Sequence, residues 1–385
     1  MTPTLRHAAG SLFVVGVSGH ELTAPTSGLD RAWLKLIRPS GIILFKRNIA
    51  DPAQTRALLH EAISFCAPNS LRCVDVEGGT VDRLRDALAP MPSAQAVAQK
   101  AAQLCKPSLA RQHGELIARS IKAFGFNTTL APVLDLALPA SFKVMGTRAA
   151  AATPEGVTQY AKEFLSGLKS QNIAGCAKHF PGLGAGSLDS HAATPSIPRT
   201  FDELWRDDLL PYRELRNTLP MVMVNHAAYP STRSGSTPAS VSQFWITTIL
   251  RQRIAYRGLI FSDDLEMGGI LHHTPIDEAA IAAIRAGTDL IEICHSPELI
   301  LRAYESLVTE AESSSAFRKI LLTRSLESVR KRKKLFGDRI LPPLSTAQFA
   351  ALRDRILRFR DIIGEAPNAS SSSPSLVDQA GAQTA

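Results

Sequence analysis

The sequence has no long apolar run and no recognisable cysteine motif. No stretch approaches the ~18 consecutive apolar residues that a membrane-spanning helix needs, so we expect no membrane partner. Its five cysteines are odd in number and lack the spacings of zinc sites and disulfide frameworks, which predicts reduced core thiols and no metal site. The N-terminal segment also lacks the apolar core and cleavage site of a secretory signal. We therefore expect a cytoplasmic protein.

Acidic residues are fewer than basic ones, 35 against 43, which gives a net charge of +8. The excess is scattered, and its one dense run, RKRKK at 330–334, lies within a helical pattern. We interpret this run as a solvated helix face and expect no nucleic-acid partner. The remaining composition, 45% hydrophobic and 20% charged, is typical of a globular enzyme with one large core.

Short apolar runs typical of buried parallel strands recur along the chain. The eight runs are LFVVGVS at 12–18, GIILF at 41–45, LRCVDV at 71–76, TTLAPVLDL at 128–136, AGCAKHF at 174–180, MVMVNHA at 221–227, GLIFSDD at 258–264 and DLIEIC at 289–294. Segments with helical periodicity separate most of them, with Asp, Thr or Ser near their starts as candidate caps. Strands and helices in this alternation predict an α/β fold, a TIM-like (β/α)₈ barrel.

The chain beyond the eighth run is predicted to be helical and then disordered. We assign residues 1–340 to a single (β/α)₈ barrel catalytic domain and residues 341–365 to a C-terminal helical extension. Residues 366–385 are rich in Ser, Ala and Pro and contain no aromatic residue, which predicts a disordered tail.

Polar residues end five of the eight apolar runs. In barrel enzymes the reacting groups are carried where strands end, at the C-terminal face. A single Asp after a strand is more often a helix cap or a turn former, but side chains from five strands must converge on one mouth. The residues at these strand ends are Asp75, Glu77, Asp135, Lys178, His179, Asn225, His226, Asp263 and Asp264.

The stretch KHFPGLGAGSLDSH at 178–191 combines two cations, alternating glycines and an acid close to a histidine. Its glycines do not have the spacing of a dinucleotide-binding loop. They predict a loop with few conformational restrictions that carries Asp189 and His191 to a pocket. Asp189 would fix the tautomer of His191 and favour its protonated form, as a general acid that becomes a general base requires. A pair on a surface loop is the alternative interpretation.

These residues resemble glycoside hydrolase family 3, specifically its single-domain bacterial β-N-acetylglucosaminidases of peptidoglycan recycling. The likeness runs from about residue 10 to residue 298. It rests on GIILFKRNI at 41, VDVEGGTVDRLR at 74, LAPVLDL at 130, VMGTR at 144, KHFPG at 178, DSH at 189, VMVNHAAYP at 222, PASVS at 238 and GLIFSDDLEM at 258.

The resemblance implies retaining hydrolysis of a terminal β-linked N-acetylglucosamine, without a cofactor. Asp263 would be the nucleophile that forms a covalent glycosyl-enzyme, and His191 the acid/base with Asp189 as its partner. The remaining contacts to the sugar would come from Asp75, Arg83, Arg148, Lys178 and His179. The expected partner is a small carbohydrate or muropeptide, bound by a monomer. Anhydromuropeptides, muropeptides and chitin oligosaccharides present the same terminal sugar, so the sequence does not identify the leaving group.

The chain departs from the family at three places. Leu183 stands where the family commonly has His, Thr80 where it has Arg, and the run 147–150 where it has Asp-Arg-Ser-Phe. None of the departures removes a residue assigned to chemistry. They bear on the packing around Arg148 and on the shape of the loop.

Several alternatives remain open from sequence. Lys178 could pair with Asp135 at the edge of the core, and Arg83 with Asp82 or Asp86 on a helix. A phosphorylase of the same fold is a competing function, because a neutral histidine repels an incoming phosphate less than a carboxylate would. An inactive sugar-binding barrel is another. A phosphate-binding isomerase or aldolase would require a glycine-rich loop after the seventh or eighth strand, and ICHSPE at 293–298 is not one.

Overall fold

A computed structural model describes residues 4–23, 29–186, 194–336 and 342–365. Eight parallel strands form a closed barrel, confirming the TIM-like (β/α)₈ prediction. A two-stranded antiparallel hairpin, β4 and β5, lies beside it. The strands are β1 Phe13–Val15, β2 Gly41–Leu44, β3 Leu71–Val74, β4 Val76–Gly78, β5 Val81–Asp82, β6 Thr128–Thr129, β7 Ala174–Phe180, β8 Met221–Val224, β9 Leu259–Asp264 and β10 Leu290–Ile293.

Helices surround the barrel and follow it. The α-helices are α1 Leu5–Gly10, α2 Asp30–Ile37, α3 Pro52–Ser64, α4 Ala94–Gln103, α5 Ser108–Ala123, α6 Phe142–Met145, α7 Pro154–Ser170, α8 Phe201–Arg206, α9 Leu210–Leu215, α10 Gly268–Leu271, α11 Ile276–Ala286, α12 Pro297–Ser313, α13 Ser315–Leu335 and α14 Thr346–Ile363. Phe244–Arg253 forms a π-helix, and short 3₁₀ turns occur at Lys46–Asn48, Pro139–Ser141, Gly146–Arg148 and Ala239–Val241. No helix in the described ranges is both long and apolar enough to cross a membrane.

Alternation along the strands separates an inner core from an outer one. In β10, Leu290 points into the barrel and Ile291 packs with the surrounding helices, as the two-residue strand period requires. The buried side chains Leu71, Met221 and Phe336 belong to the inner core. Phe336 immediately follows α13, so the end of this helix closes the N-terminal, or bottom, end of the barrel.

Side-chain caps begin several of these helices. Asp51 accepts hydrogen bonds from the backbone N–H groups of Ala53 and Gln54 at the start of α3. Thr153 accepts one from Gly156 at the start of α7, as its position before the periodic segment predicts.

Strand β6 is much shorter than predicted, two residues instead of the nine of TTLAPVLDL. Pro132 explains part of the difference, because proline has no backbone N–H to continue a strand ladder. The hairpin of β4 and β5 was not predicted. Its strands are only three and two residues long and interrupt a polar segment, so they carry no hydrophobic period.

The prediction of a solvated face for 330–334 is wrong in part. Arg332 is fully buried, and its guanidinium donates hydrogen bonds to the carbonyl oxygens of Pro68 and Asn69 at 2.8 and 3.1 Å. The segment therefore lies against the barrel. The prediction of core thiols holds for four of the five cysteines, which are buried and free, but Cys105 is exposed.

Helix α14 lies beyond the barrel and contacts α4 and α5. Its Phe359 is buried, with its ring stacked on that of His113 at 6.0 Å between centroids. Glu365, at the end of the described chain, accepts a hydrogen bond from the Ser93 backbone N–H at 2.8 Å. The tail 366–385 predicted to be disordered lies outside the described residues.

Candidate active site

Charged residues from separate strands meet at the C-terminal mouth of the barrel. Lys178, near the end of β7, lies with its Nζ 2.8 Å from Asp75 Oδ1 and 2.7 Å from Glu77 Oε1. The alternative pairing of Lys178 with Asp135 is therefore wrong. Asp75 directly follows β3 and Glu77 lies in the hairpin, so β3 and β7, the third and fifth strands of the barrel, are joined by one buried ammonium group.

Glu77 also receives both arms of the Arg148 guanidinium. Arg148 Nε and Nη2 donate to the two carboxylate oxygens of Glu77 at 2.8 and 2.9 Å, a bidentate pair. Burial alone would raise the pKa of Glu77, but the charges of Arg148 and Lys178 hold it well below its usual range. Glu77 is thus a fixed anion that aligns two cations beside Asp75.

His179 is held by a carboxylate from the next segment. Its Nδ1 lies 2.6 Å from Asp135 Oδ2, and the other Asp135 oxygen accepts the backbone N–H of Leu183 at 2.6 Å. This arrangement favours Nδ1–H, which leaves Nε2 as an acceptor 3.4 Å from Arg148 Nη2. The ring is therefore fixed in one orientation at the mouth. The peptide bonds Lys178–His179 and Phe180–Pro181 in this strand are cis.

Asp263 stands at the end of β9, with a partly exposed side chain whose Oδ1 accepts the Asp264 backbone N–H at 3.0 Å. Its charge and that of Asp75 both act on Glu292, whose pKa burial and neighbouring acids raise well above its usual range. Asp263 directly precedes Asp264, the register partner of Glu292 across the β9–β10 pair, so it ends its strand beside this buried carboxyl group. This places the predicted nucleophile in the same mouth as the Asp75–Lys178 pair.

Arg83 follows the hairpin at the rim of the mouth. Its backbone N–H donates to the Asp75 carbonyl at 3.2 Å, and its buried guanidinium lies 6.0 Å from the ring centre of Phe45. Asp82 accepts the backbone N–H groups of Leu84 and Met91.

The two predicted acid/base residues, Asp189 and His191, lie outside the described residues. The glycines before them, Gly182, Gly184 and Gly186, are described, and two of them are closely packed where the prediction had few restrictions; the loop that they were predicted to open lies outside the described residues. A Cβ on Gly184 would lie 2.6 Å from the Leu136 carbonyl oxygen, and one on Gly182 would lie 2.7 Å from Asp208 Oδ1. These glycines are needed for close packing.

Sequence reasoning missed two acidic residues of the mouth. Glu266 accepts three backbone N–H groups, those of residues 294, 295 and 296, and so fixes the segment before α12. Glu292 is buried in β10 at the register position beside Asp264. The sequence did contain a signal for Glu292. It is a charged residue in an otherwise apolar run, at a position that shares a strand face with Leu290 and Cys294, which predicts a carboxyl group inside the barrel.

No cluster of three His, Cys, Asp or Glu side chains in the described part of the chain could hold a metal ion. The mouth offers instead fixed carboxylates and cations that can bind a neutral ligand rich in hydroxyl groups through charge-assisted hydrogen bonds. A partly exposed carboxylate beside them can stabilise a developing positive charge. This combination suits a sugar whose glycosidic bond is being broken.

Comparison with known proteins agrees with this chemistry. The model of the glycosyl hydrolase family 3 N-terminal domain matches residues 4–324. A β-hexosaminidase from Methylococcus capsulatus is 36% identical over 343 residues, which are 89% of this chain and 98% of the relative. A β-hexosaminidase from Pseudomonas aeruginosa is 38% identical over 303 residues, 77% of this chain and 87% of the relative.

Two solved structures extend the comparison. A family 3 β-N-acetylglucosaminidase from Paenibacillus superposes with a TM-score of 0.81 and 30% identity, over 93% of this chain and 69% of that one. NagZ from Neisseria gonorrhoeae, in complex with N-trifluoroacetyl-D-glucosamine, superposes with a TM-score of 0.73 and 28% identity, over 91% and 97% of the two chains.

Proposed function

The chain belongs to glycosyl hydrolase family 3 and is a glycoside hydrolase, and we propose that it is a retaining exo-β-N-acetylglucosaminidase. Its substrates would be peptidoglycan fragments with a terminal β-linked N-acetylglucosamine. The observation that carries the proposal is the network of Asp75, Lys178, Glu77 and Arg148 at the same mouth as Asp263. The names of the relatives and the sugar bound to the Neisseria protein support the choice of N-acetylglucosamine.

The sugar would be bound by the groups that the network aligns. Asp75 has a carboxylate oxygen besides the one paired with Lys178, and it would accept hydrogen bonds from sugar hydroxyls. Lys178, Arg148 and Arg83 would donate to the hydroxyl oxygens. His179, held by Asp135, would add a contact in a fixed orientation. We assign no catalytic step to these residues, because their role is to position the anomeric carbon at Asp263.

The reaction would proceed in two steps. In the first, an Asp263 oxygen forms a bond to the anomeric carbon as the bond to the leaving oxygen breaks, and His191 gives that oxygen its proton. In the second, His191 removes a proton from water, the water oxygen bonds to the anomeric carbon, and Asp263 is released. Asp189 would keep His191 in the required tautomer. The sugar would retain its β configuration.

The nucleophile is tested by Asp263→Asn, because an amide cannot form the covalent intermediate. We expect turnover of a nitrophenyl β-N-acetylglucosaminide to fall by about three to five orders of magnitude. Asp264→Asn is a matched control one residue away. Burial raises the pKa of Asp264 well above its usual range, so an amide resembles its neutral form and less than about a tenfold loss is expected. Equal losses in both variants would reject Asp263 as the nucleophile.

The acid/base is tested by His191→Ala. Cleavage of a natural sugar leaving group should slow by roughly 10²- to 10⁴-fold, the usual contribution of a general acid. A nitrophenyl substrate needs no proton on its leaving group, so it should still give a burst and then stall as the glycosyl-enzyme accumulates. Azide needs no deprotonation and should relieve the stall, with a β-glycosyl azide as product. If His191→Ala cleaved both substrates as fast as the parent, His191 would not be the acid/base. Asp189 and His191 would then be a pair on a surface loop, the alternative given from the sequence.

Substrate and acceptor are tested with the parent enzyme. We expect a nitrophenyl β-N-acetylglucosaminide to be cleaved far better than the matching glucoside, and a disaccharide–peptide fragment of peptidoglycan better than chitobiose. Products should be followed by NMR with and without phosphate. A sugar 1-phosphate as the major product would identify the protein as a phosphorylase. If no substrate were turned over, the alternative of an inactive sugar-binding barrel would be favoured.

A further inference from the structure

A cavity of about 1370 Å³ lies at the bottom of the barrel, at the opposite end from the active-site mouth. It is bounded by the segments that precede β7, β8 and β9 and by α13. Ten of the side chains that line it are Lys or Arg, and one, Glu327, is acidic. The catalytic chemistry proposed above uses none of them.

Three of these cations are recessed and share two carboxylates, Asp289 and Glu327, so one positive charge is left over; Glu327 lies 3.2 Å from Arg324 Nη2 and 4.0 Å from Lys331 Nζ. Arg251, Arg324 and Lys331 all contact the fully buried carboxylate of Asp289, with Lys331 Nζ at 2.8 Å and Arg324 Nη1 at 3.4 Å. The exposed fractions of the three side chains are only 14%, 21% and 13%. Burial lowers the pKa of Lys331, and Asp289 offsets this only in part. The floor of the cavity therefore favours an additional anion.

Six more cations line the cavity without an ion pair to any carboxylate in the described ranges. They are Lys162, Lys169, Arg216, Arg257, Arg330 and Lys334. Like charges at such density repel each other unless an anion or solvent lies between them. Together with the floor, they make the cavity strongly electropositive.

Helix dipoles account for only some of these charges. Cations near helix C-termini compensate the partial negative charge there, and Lys169 lies in the last turn of α7. Lys334 likewise lies in the last turn of α13, and Arg216 donates to the Arg213 carbonyl oxygen in the last turn of α9 at 2.7 Å. Arg324 and Arg330 lie inside α13, several residues before its end, and Arg257 lies in the loop before β9. The excess charge therefore requires another explanation.

The geometry points to a binding site for a small, phosphate-dense polyanion in this cavity. The side chains of Arg251, Arg324 and Lys331, which form the cavity floor, are only 13–21% exposed, which favours a narrow ligand over the broad surface of duplex nucleic acid or a bilayer. Tyr256 is the only aromatic side chain lining the described cavity, and it is fully buried, so no ring is available for a stacked base. A thin chain of phosphates can reach the floor and be bound by charge alone.

The site is tested with tripolyphosphate as the probe, by calorimetric titration of the full chain in 0.15 M salt, about the physiological strength. Arg330→Gln with Lys334→Gln removes two unpaired cavity charges and should weaken binding at least about tenfold. The control, Lys319→Gln with Lys333→Gln, removes two exposed charges from the same helix outside the cavity. It should change the affinity by less than about twofold.

A third variant should act in the opposite direction. Among the described residues, Glu327 is the one acidic side chain that lines the cavity, so Glu327→Gln should tighten binding severalfold, which a merely destabilised protein would not do. No binding of tripolyphosphate, or equal weakening by the two double variants, would overturn the proposal. Tighter binding of an anionic vesicle or an oligonucleotide, with the same dependence on Arg330 and Lys334, would overturn it in favour of a macromolecular partner. Glycosidase activity should be unchanged in all three variants, so a failure here is separate from a failure of the catalytic assignment.

Discussion

Glu292 is a carboxyl group buried inside the barrel, close to the charges of three other acids. It is 2% exposed, and its Oε1 has no hydrogen-bond partner among the described residues. Burial first, and then Asp264, Asp75 and Asp263, raise its pKa well above the usual range, and Lys178 offsets only part of this. We infer that burial favours the neutral form of Glu292, so that this residue adds no charge near Asp263, the proposed nucleophile.

Glu292→Gln tests this protonation state, because an amide has nearly the shape of a neutral carboxyl group. At pH 7 we expect kcat/KM within about threefold of the parent and an unfolding free energy within about 1 kcal/mol of it. Urea unfolding and a nitrophenyl substrate give the two measurements. A hundredfold loss of kcat/KM with unchanged stability would mean that the ionised carboxylate takes part in the reaction.

Glu77 behaves in the opposite way, because two cations depend on its charge. Glu77→Gln leaves Arg148 and Lys178 partly uncompensated, and we expect it to destabilise the protein by about 3 kcal/mol at pH 7. A carboxylate with a depressed pKa stabilises the fold above its unfolded pKa, and this contribution is lost as the pH falls. The difference between parent and variant should therefore shrink below about pH 4.5 in urea unfolding. A constant difference down to pH 3 would contradict the assignment.

At the level of elements, sequence reasoning found the strands because each carries its own signal. All eight apolar runs became barrel strands, and polar residues at their ends reached one mouth. The pairings did not follow from sequence. Lys178 contacts Asp75 and Glu77 instead of Asp135, because which acid lies within reach depends on the hairpin of β4 and β5. The close packing of Gly182 and Gly184 was hidden for the same reason, since the atoms they contact come from distant segments.

Helix α14 illustrates how an element outside the barrel is held. Phe359→Ala removes a fully buried ring from its contact with His113 and should lower the unfolding free energy by about 3–5 kcal/mol. Ile362→Ala, on the same helix, is the control, because that side chain is 49% exposed and should cost less than about 1 kcal/mol. Urea unfolding measures both. If the two variants were equally stable, α14 would contribute nothing to the fold through Phe359.

On the scale of the whole molecule, the barrel separates two kinds of surface. The mouth balances its cations against carboxylates, as in the pairs of Lys178 with Asp75 and Arg148 with Glu77. The bottom gathers cations that the described carboxylates do not balance. The positive charges behind the net charge of +8 are therefore distributed unevenly over the surface. Composition could not reveal this, because the bottom cavity is built from segments that are far apart in the chain.

The pH dependence of stability is also a property of the whole molecule. Glu77 stabilises the fold only where it is ionised, so its contribution disappears in acid. Burial raises the pKa of Asp82 to about 6 and that of Asp208 to about 7, with Asp135 and Asp207 adding to the shift of Asp208 and Arg199 opposing it. The folded state then binds protons that the unfolded state has lost, and stability falls as the pH rises through this window. We expect the maximum near pH 5.

Asp208→Asn isolates one of these contributions. Asp208 is 2% exposed, and its pKa is raised from 3.8 to about 7, so the parent should lose stability through Asp208 between about pH 4 and pH 7. An amide does not titrate, and the variant should therefore gain about 3 kcal/mol relative to the parent between pH 4.5 and pH 8. The measurement is the difference in unfolding free energy between the two proteins at half-unit steps of pH. A difference that does not change with pH would show that Asp208 has the same proton affinity in the folded and unfolded chain. The acid-shifted maximum would then rest on the other acids whose pKa values are raised by burial, among them Asp82, Glu292 and Asp264.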